Sequence, residues 1–97
     1  MVPTLRVLIG VVSSALAFAV TTAAPAAADE HDYLRLLQPK YIYLSAQQLL
    51  DEGHKVCRVL SAGTISPDAT TMVQKDLTVS LATAEDIVDT AAVQLGC

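Results

Sequence analysis

The first 28 residues of this chain have the composition of a segment that is removed before folding, which limits the folded part to one small domain. A single basic residue, Arg6, precedes an apolar run from Val7 to Val20, and three alanines end at Ala28, directly before the first acidic residue. This order of charge, apolar run and small residues is typical of a secretory signal peptide with an A-x-A-type cleavage site. We therefore predict a signal peptide over residues 1–28 and a single domain over residues 29–97.

A retained membrane anchor is the alternative for this segment, because residues 7–28 are uncharged and about long enough to span a bilayer. Cleavage is favoured because the strongly apolar part ends at Val20, and because Pro25 and the alanines after it suit a peptidase site. No cysteine lies near the cleavage position, which argues against a lipid-anchored protein. The sequence thus predicts a protein secreted to the cell envelope or the medium, with no membrane span after cleavage.

Cys57 and Cys97 are the only cysteines, and an even pair in an oxidising compartment predicts one disulfide. A redox or metal-binding thiol pair is the alternative, but such pairs usually have C-x-x-C spacing or additional ligands, and neither is present. A domain of this size has a marginal hydrophobic core. Closing a loop of about 40 residues would stabilise it by roughly 4 kcal/mol in the chain-entropy model.

Hydrophobic periodicity predicts an all-α fold, a small bundle of three to four short helices stapled by the disulfide. The clearest helix begins at Ser45, which forms a capping-box pattern with Gln48, and it ends before Gly63. Its apolar stripe contains Leu49, Leu50, Gly53, Val56, Cys57 and Leu60. The opposite face is predicted to carry Gln48, Asp51, Glu52, Lys55 and Arg58. Glycine on the apolar stripe predicts that another helix approaches closely at Gly53.

A second helix is predicted after Thr83, whose spacing to Asp86 also fits a capping box. Its apolar face contains Ala84, Ile87, Val88, Ala91 and Leu95. Cys97 lies just beyond this helix, so the predicted disulfide would tie the chain end to the middle of the first helix.

Two weaker helices complete the predicted bundle. One begins at Ser66 as the cap, with Pro67 in the first helical position, and buries Ala69, Met72, Val73 and Leu77. The other covers residues 32–38 and ends at Pro39, with Tyr33, Leu34 and Leu37 on its apolar face. Residues 41–44 and 77–81 are less certain and could pair as two short strands, although isolated two-strand ladders are marginal.

The apolar and cysteine positions together resemble a known family. Tyr33-Leu34 with Leu37 comes first, the pattern G-x-x-V-C-x-x-L-x-x-G runs from Gly53 to Gly63, and an alanine-rich final helix ends in Cys97. This arrangement resembles domain of unknown function 732, a family of small exported proteins found mainly in mycobacteria. The resemblance implies a compact helical domain with one disulfide between Cys57 and Cys97, and it implies no activity. The chain departs from the family at Gly96, where members commonly have an aromatic residue.

No catalytic constellation is recognisable, and the sequence predicts a protein that is not an enzyme and needs no cofactor. The serines lack a G-x-S-x-G context, and no glycine run could cradle a phosphate. A net charge of −4 argues against nucleic acid as a partner. We expect a module that contacts an unknown protein or cell-envelope partner. The alternative is a small carrier that holds an apolar ligand between its helices, with Tyr33, Tyr41 and Tyr43 near the mouth.

One feature suggests metal binding. If cleavage follows Ala28, the mature chain begins Asp29-Glu30-His31, and the free amine, two backbone amides and the imidazole lie in one short segment. Four nitrogen ligands in a plane suit Cu(II) or Ni(II). The alternative is that His31 is the third residue of the mature chain by chance, in an ordinary terminal segment without a metal. For His54, a surface or partly packed imidazole is the expected role.

The copper hypothesis makes a direct prediction. Protein starting at Asp29 should bind one Cu(II) and show the visible absorption of a square-planar nitrogen complex, and binding should weaken as pH falls because the metal displaces protons. His31→Ala should abolish the band because it removes the imidazole. An added N-terminal residue should also abolish it because the chelate spacing is broken. If either variant retains the spectrum, copper binds elsewhere.

Overall fold

The computed structural model describes residues 24–97, which form four α-helices and no strand. The helices are α1 (Ala24–Leu37), α2 (Ala46–Ser61), α3 (Ser66–Leu77) and α4 (Leu81–Gln94). The predicted all-α fold is confirmed. The predicted signal peptide lies outside the described residues except for residues 24–28, which begin α1. Within the described part of the chain, no helix has the length and apolar character needed to cross a membrane.

Helix α2 begins and ends where the sequence predicts. The Ser45 side chain accepts a hydrogen bond from the backbone N–H of Gln48 at 3.1 Å, and the Gln48 side chain accepts one from the backbone N–H of Ser45 at 2.9 Å. This reciprocal pair is the predicted capping box. After the helix, Gly63 has a φ of 104°, a left-handed conformation that residues with a side chain rarely adopt.

The beginnings of α3 and α4 differ from the prediction. Ser80, and not Thr83, is the N-cap of α4, and its side chain accepts a hydrogen bond from the backbone N–H of Thr83 at 3.2 Å. Both residues are good caps, and Ser80 fills the role because its backbone is extended while Thr83 is buried inside the helix. In α3, Ile65 is the N-cap without a side-chain hydrogen bond, so Ser66 is already helical.

The prediction that residues 41–44 and 77–81 could form two strands is also wrong. Residues 41–44 form a turn between α1 and α2, and residues 77–81 end one helix and begin the next. Thr78 has a φ of 54°, and this left-handed residue stops α3 so that the chain can reverse within a few residues. Helix α1 begins earlier than the predicted residues 32–38 and ends one residue before Gln38.

The core lies between the four helices, and α4 packs against each of the other three. Its fully or nearly fully buried apolar residues are Tyr33, Leu37, Leu44, Leu49, Val56, Ala69, Val73, Ala84, Ile87, Val88 and Ala91. Most of the predicted apolar faces are therefore confirmed. Glu52 is the exception on α2, because it was predicted on the exposed face and is only 6% exposed. It lies three residues after Leu49 and four before Val56, which places it on the buried stripe.

Gly53 leaves room for a side chain of α1 on the surface of α2. A side-chain carbon on Gly53 would lie 2.7 Å from the ring and hydroxyl of Tyr33 and 3.0 Å from a methyl group of Leu95. The Tyr33 hydroxyl donates a buried hydrogen bond of 2.6 Å to the backbone carbonyl of Leu49. Gly53 therefore lets an aromatic ring from α1 and a leucine that follows α4 meet on the surface of α2, as its place on the apolar stripe predicts.

The predicted disulfide is present between Cys57 and Cys97, with their Cα atoms 5.1 Å apart. Both sulfur atoms lie within 3.9 Å of the backbone carbonyl oxygen of Ala91, so the bond packs against the last turns of α4. It spans 40 residues and ties the chain end to α2 one turn after Gly53.

Gly53→Ala is expected to destabilise the protein. The added methyl group would force the Tyr33 ring away from its hydrogen bond, and such overpacking costs about 1–3 kcal/mol, more than the helix propensity that alanine returns. Chemical denaturation of the variant measures the effect, with Ser61→Ala on the exposed end of the same helix as the control. A Gly53→Ala variant as stable as the parent would show that Tyr33 does not limit this contact.

Candidate functional site

The turn between α1 and α2 presents two large apolar side chains to solvent, and one of them, Ile42, is the most exposed large apolar residue in the described part of the chain. Ile42 is 85% exposed and Tyr43 is 63% exposed, whereas the next residue, Leu44, is buried in the core. Two large apolar side chains are therefore held in solvent immediately beside a core residue. We define the candidate site as residues 40–44 together with Asp86, the residue that holds this turn.

The Asp86 side chain on α4 and several backbone bonds connect the turn to the helices. The Asp86 carboxylate accepts hydrogen bonds from the Tyr41 hydroxyl at 2.7 Å and from the Lys40 ammonium group at 3.0 Å. The backbone N–H groups of Lys40 and Tyr41 donate to the carbonyl of Leu37, and that of Leu44 donates to Tyr41. The turn is thus tied to both α1 and α4.

The exposed Tyr43 ring packs against the anchored one. The rings of Tyr41 and Tyr43 meet edge to face, with their centres 6.3 Å apart. This is a preferred geometry for aromatic pairs. The Tyr43 side chain therefore has one aromatic neighbour in the turn, while most of its surface faces solvent.

The electrostatics of the site agree with this geometry. Burial acts to raise the pKa of Asp86, but hydrogen bonds from Tyr41 and Lys40 outweigh it and lower that pKa below the usual value. Burial and the hydrogen bond to Asp86 raise the pKa of the Tyr41 hydroxyl. The aspartate is therefore ionised and the tyrosine neutral at ordinary pH, which keeps the anchor in place.

The three tyrosines do not surround a common ligand cavity, in contrast to the predicted carrier mouth. Tyr33 is completely buried in the core, whereas Tyr43 is exposed. A surface groove of about 470 Å³ lies instead between α3 and α4, and its lining consists of Ser66, Pro67, Thr70, Thr71, Leu81, Glu85 and Asp89. Five of these seven residues carry a hydroxyl or carboxylate group, so the groove does not have the predominantly apolar lining that an apolar ligand needs.

The predicted copper ligands lie in α1. Asp29, Glu30 and His31 are consecutive helical residues, and the Glu30 carboxylate contacts the Nε2 atom of His54 on α2 at 2.7 Å. This contact joins α1 to α2, and it gives His54 a polar partner. The copper hypothesis requires a free amine at Asp29 and stays a prediction.

Comparison with known proteins identifies a family but no activity. A family model described as "Protein of unknown function (DUF732)" matches residues 28–97 and confirms the resemblance inferred from the sequence. No curated protein and no solved structure matches the chain.

Removing the Asp86 anchor should loosen the turn. Asp86→Ala deletes the acceptor for Lys40 and Tyr41, so the protein should lose about 1 kcal/mol of stability for the lost hydrogen bonding. The ¹⁵N order parameters of Ile42 and Tyr43 should fall toward the flexible range, below about 0.6. Asp89→Ala, one turn further along α4, is the matched control. Unchanged order parameters in Asp86→Ala would show that the backbone bonds alone fix the turn.

Proposed function

We propose that this chain, which belongs to the DUF732 family of proteins of unknown function, is a small exported module that binds another protein through Ile42 and Tyr43 and catalyses no reaction. One observation carries the proposal: these two apolar side chains are exposed on a turn whose Lys40 and Tyr41 side chains are hydrogen-bonded to Asp86 on α4. The signal-peptide pattern of residues 1–28 supports export.

The physical argument rests on the entropy of binding. Ordering a flexible loop at an interface costs free energy, and a turn already fixed before contact avoids most of that cost. Tyrosine is enriched among the few interface residues that dominate binding energy. An anchored turn with a tyrosine and an isoleucine at its tip therefore suits a protein contact.

The charges around the turn indicate the partner surface. Lys40 and Asp86 form an ion pair at the base of the turn, so the tip presents apolar groups without a strong net charge beside them. The fitting partner is a protein with an apolar pocket, and not a polyanion or a strongly charged membrane. A carrier function has less support, because five of the seven residues that line the groove between α3 and α4 carry a hydroxyl or carboxylate group.

The test is replacement of both tip residues. Ile42→Ser combined with Tyr43→Ser should preserve the fold, since neither side chain is buried, and should weaken partner binding by about tenfold or more. The protein is immobilised, exposed to cell-envelope extract and culture medium of the producing organism, and bound proteins are identified by mass spectrometry. Affinity for the purified partner is then measured by titration calorimetry.

The matched control replaces two other exposed apolar residues. Val93 is 76% exposed and Ile65 is 61% exposed, so Val93→Ser with Ile65→Ser removes similar apolar area outside the turn. We expect this control to bind the partner as the parent does. A partner that binds the turn variant and the parent with equal affinity would contradict the proposal.

A further inference from the structure

The groove between α3 and α4 is a surface feature that the proposed binding function does not use. Its volume of about 470 Å³ falls within the range of ligand-binding clefts, roughly 300–1,000 Å³. The lining residues of α3 lie in the first half of that helix, and those of α4 are Leu81, Glu85 and Asp89. Leu81 is 54% exposed although it is a large apolar residue. The groove therefore combines polar groups with an uncovered apolar surface.

The α3 wall of the groove offers hydrogen-bond acceptors and few donors. The Thr70 hydroxyl donates its proton to the backbone carbonyl of Ser66 at 3.0 Å, and the Thr71 hydroxyl donates to that of Pro67 at 3.2 Å. The two threonine oxygens can then only accept a bond from a ligand. Pro67 has no backbone N–H, so it removes one of the donors that the start of a helix usually presents. Among the lining side chains, only the Ser66 hydroxyl remains able to donate.

The α4 wall adds two carboxylates to these acceptors. Glu85 and Asp89 are four residues apart, so they lie on one face of the helix and repel each other. Helix α4 contains no basic residue, and none of the ion pairs in the described part of the chain involves either carboxylate. The groove lining contains no lysine or arginine. A cation from another molecule would remove this repulsion without displacing an existing partner.

We propose that the groove is a docking site for a basic segment of a partner protein, with an arginine of that segment bound between Glu85 and Asp89. The guanidinium group is planar and carries several N–H donors, so it can bond both carboxylates and the acceptor oxygens of the α3 wall. The aliphatic part of the arginine side chain covers Leu81. This inference does not depend on the proposed binding through Ile42 and Tyr43.

Other classes of ligand fit the groove less well. An anion would be repelled by the two carboxylates and would find few donors. An apolar ligand would take water away from the hydroxyl and carboxylate groups without replacing its hydrogen bonds. A single metal ion would fill little of the groove and would leave Leu81 uncovered. A polyamine shares the positive charge but lacks the planar guanidinium group, so the arginine segment is the better match.

The experiment is a titration of the ¹⁵N-labelled protein with a capped hexapeptide of alternating leucine and arginine, followed by NMR chemical shifts. We expect the largest amide shifts at the lining residues of the groove. Replacing every arginine of the peptide by citrulline, which is nearly the same shape without the charge, should weaken binding by at least about tenfold. The affinity of the arginine peptide should also fall at high salt, because salt screens exposed charges.

The variant that tests the site is Glu85→Gln with Asp89→Asn, which removes both charges and keeps the size of the side chains. It should weaken peptide binding by at least about tenfold. The matched control is Asp51→Asn with Asp68→Asn, which changes the net charge equally at exposed positions outside the groove lining. We expect the control to bind the peptide as the parent does.

Equal weakening in the two double variants would indicate a general charge effect and would overturn the docking site. Absence of peptide binding, largest shifts outside the groove, or equal affinity of the citrulline peptide would overturn it as well. Spermidine is titrated in parallel. If it binds the groove as tightly as the peptide, the occupant is a free organic cation and the protein-segment proposal is wrong. If the groove variant does not fold, the two peptides and the shifts of the parent decide.

Discussion

The contact of the Tyr33 ring with Gly53 determines how the other parts of this domain are arranged. The ring occupies the space that a side chain on Gly53 would fill, and the Leu95 side chain reaches the same point from the end of α4. Three segments distant in sequence thus meet above one glycine. The disulfide follows one turn later on α2 and two residues after Leu95, so the covalent bond holds in place the approach that the glycine permits. A side chain at this position would force the Tyr33 ring or the Leu95 side chain to move.

This packing also determines the positions of two acidic side chains, Glu52 and Asp86. Glu52 precedes Gly53, so the rotation of α2 that brings Gly53 against Tyr33 also turns Glu52 into the core, where its charge is unfavourable. At the other end of α4, the same arrangement brings Asp86 beneath the turn between α1 and α2.

The features that could be predicted from the sequence are those encoded locally or covalently. The capping box of Ser45 and Gln48 lies within four residues, and the disulfide follows from a single pair of cysteines. The buried position of Glu52 was predictable from its spacing to Leu49 and Val56, but its charge outweighed that signal.

The polar contacts of the candidate site were not predictable in this way. The bonds from Tyr41 and Lys40 to Asp86 span 45 and 46 residues, and no local pattern indicates them. The same limit applies to the start of α4, where Ser80 and Thr83 are both possible caps by sequence and Ser80 is the N-cap in the structure.

Ile42 shows why the long-range contacts matter for function. An isoleucine that is 85% exposed adds almost nothing to a core that is already marginal at this size, and it raises the risk of aggregation. Such a residue on a flexible loop would be unremarkable, but Asp86 fixes this turn from 45 residues away. The proposed binding function accounts for this support, because a partner would bury side chains that do not stabilise the fold.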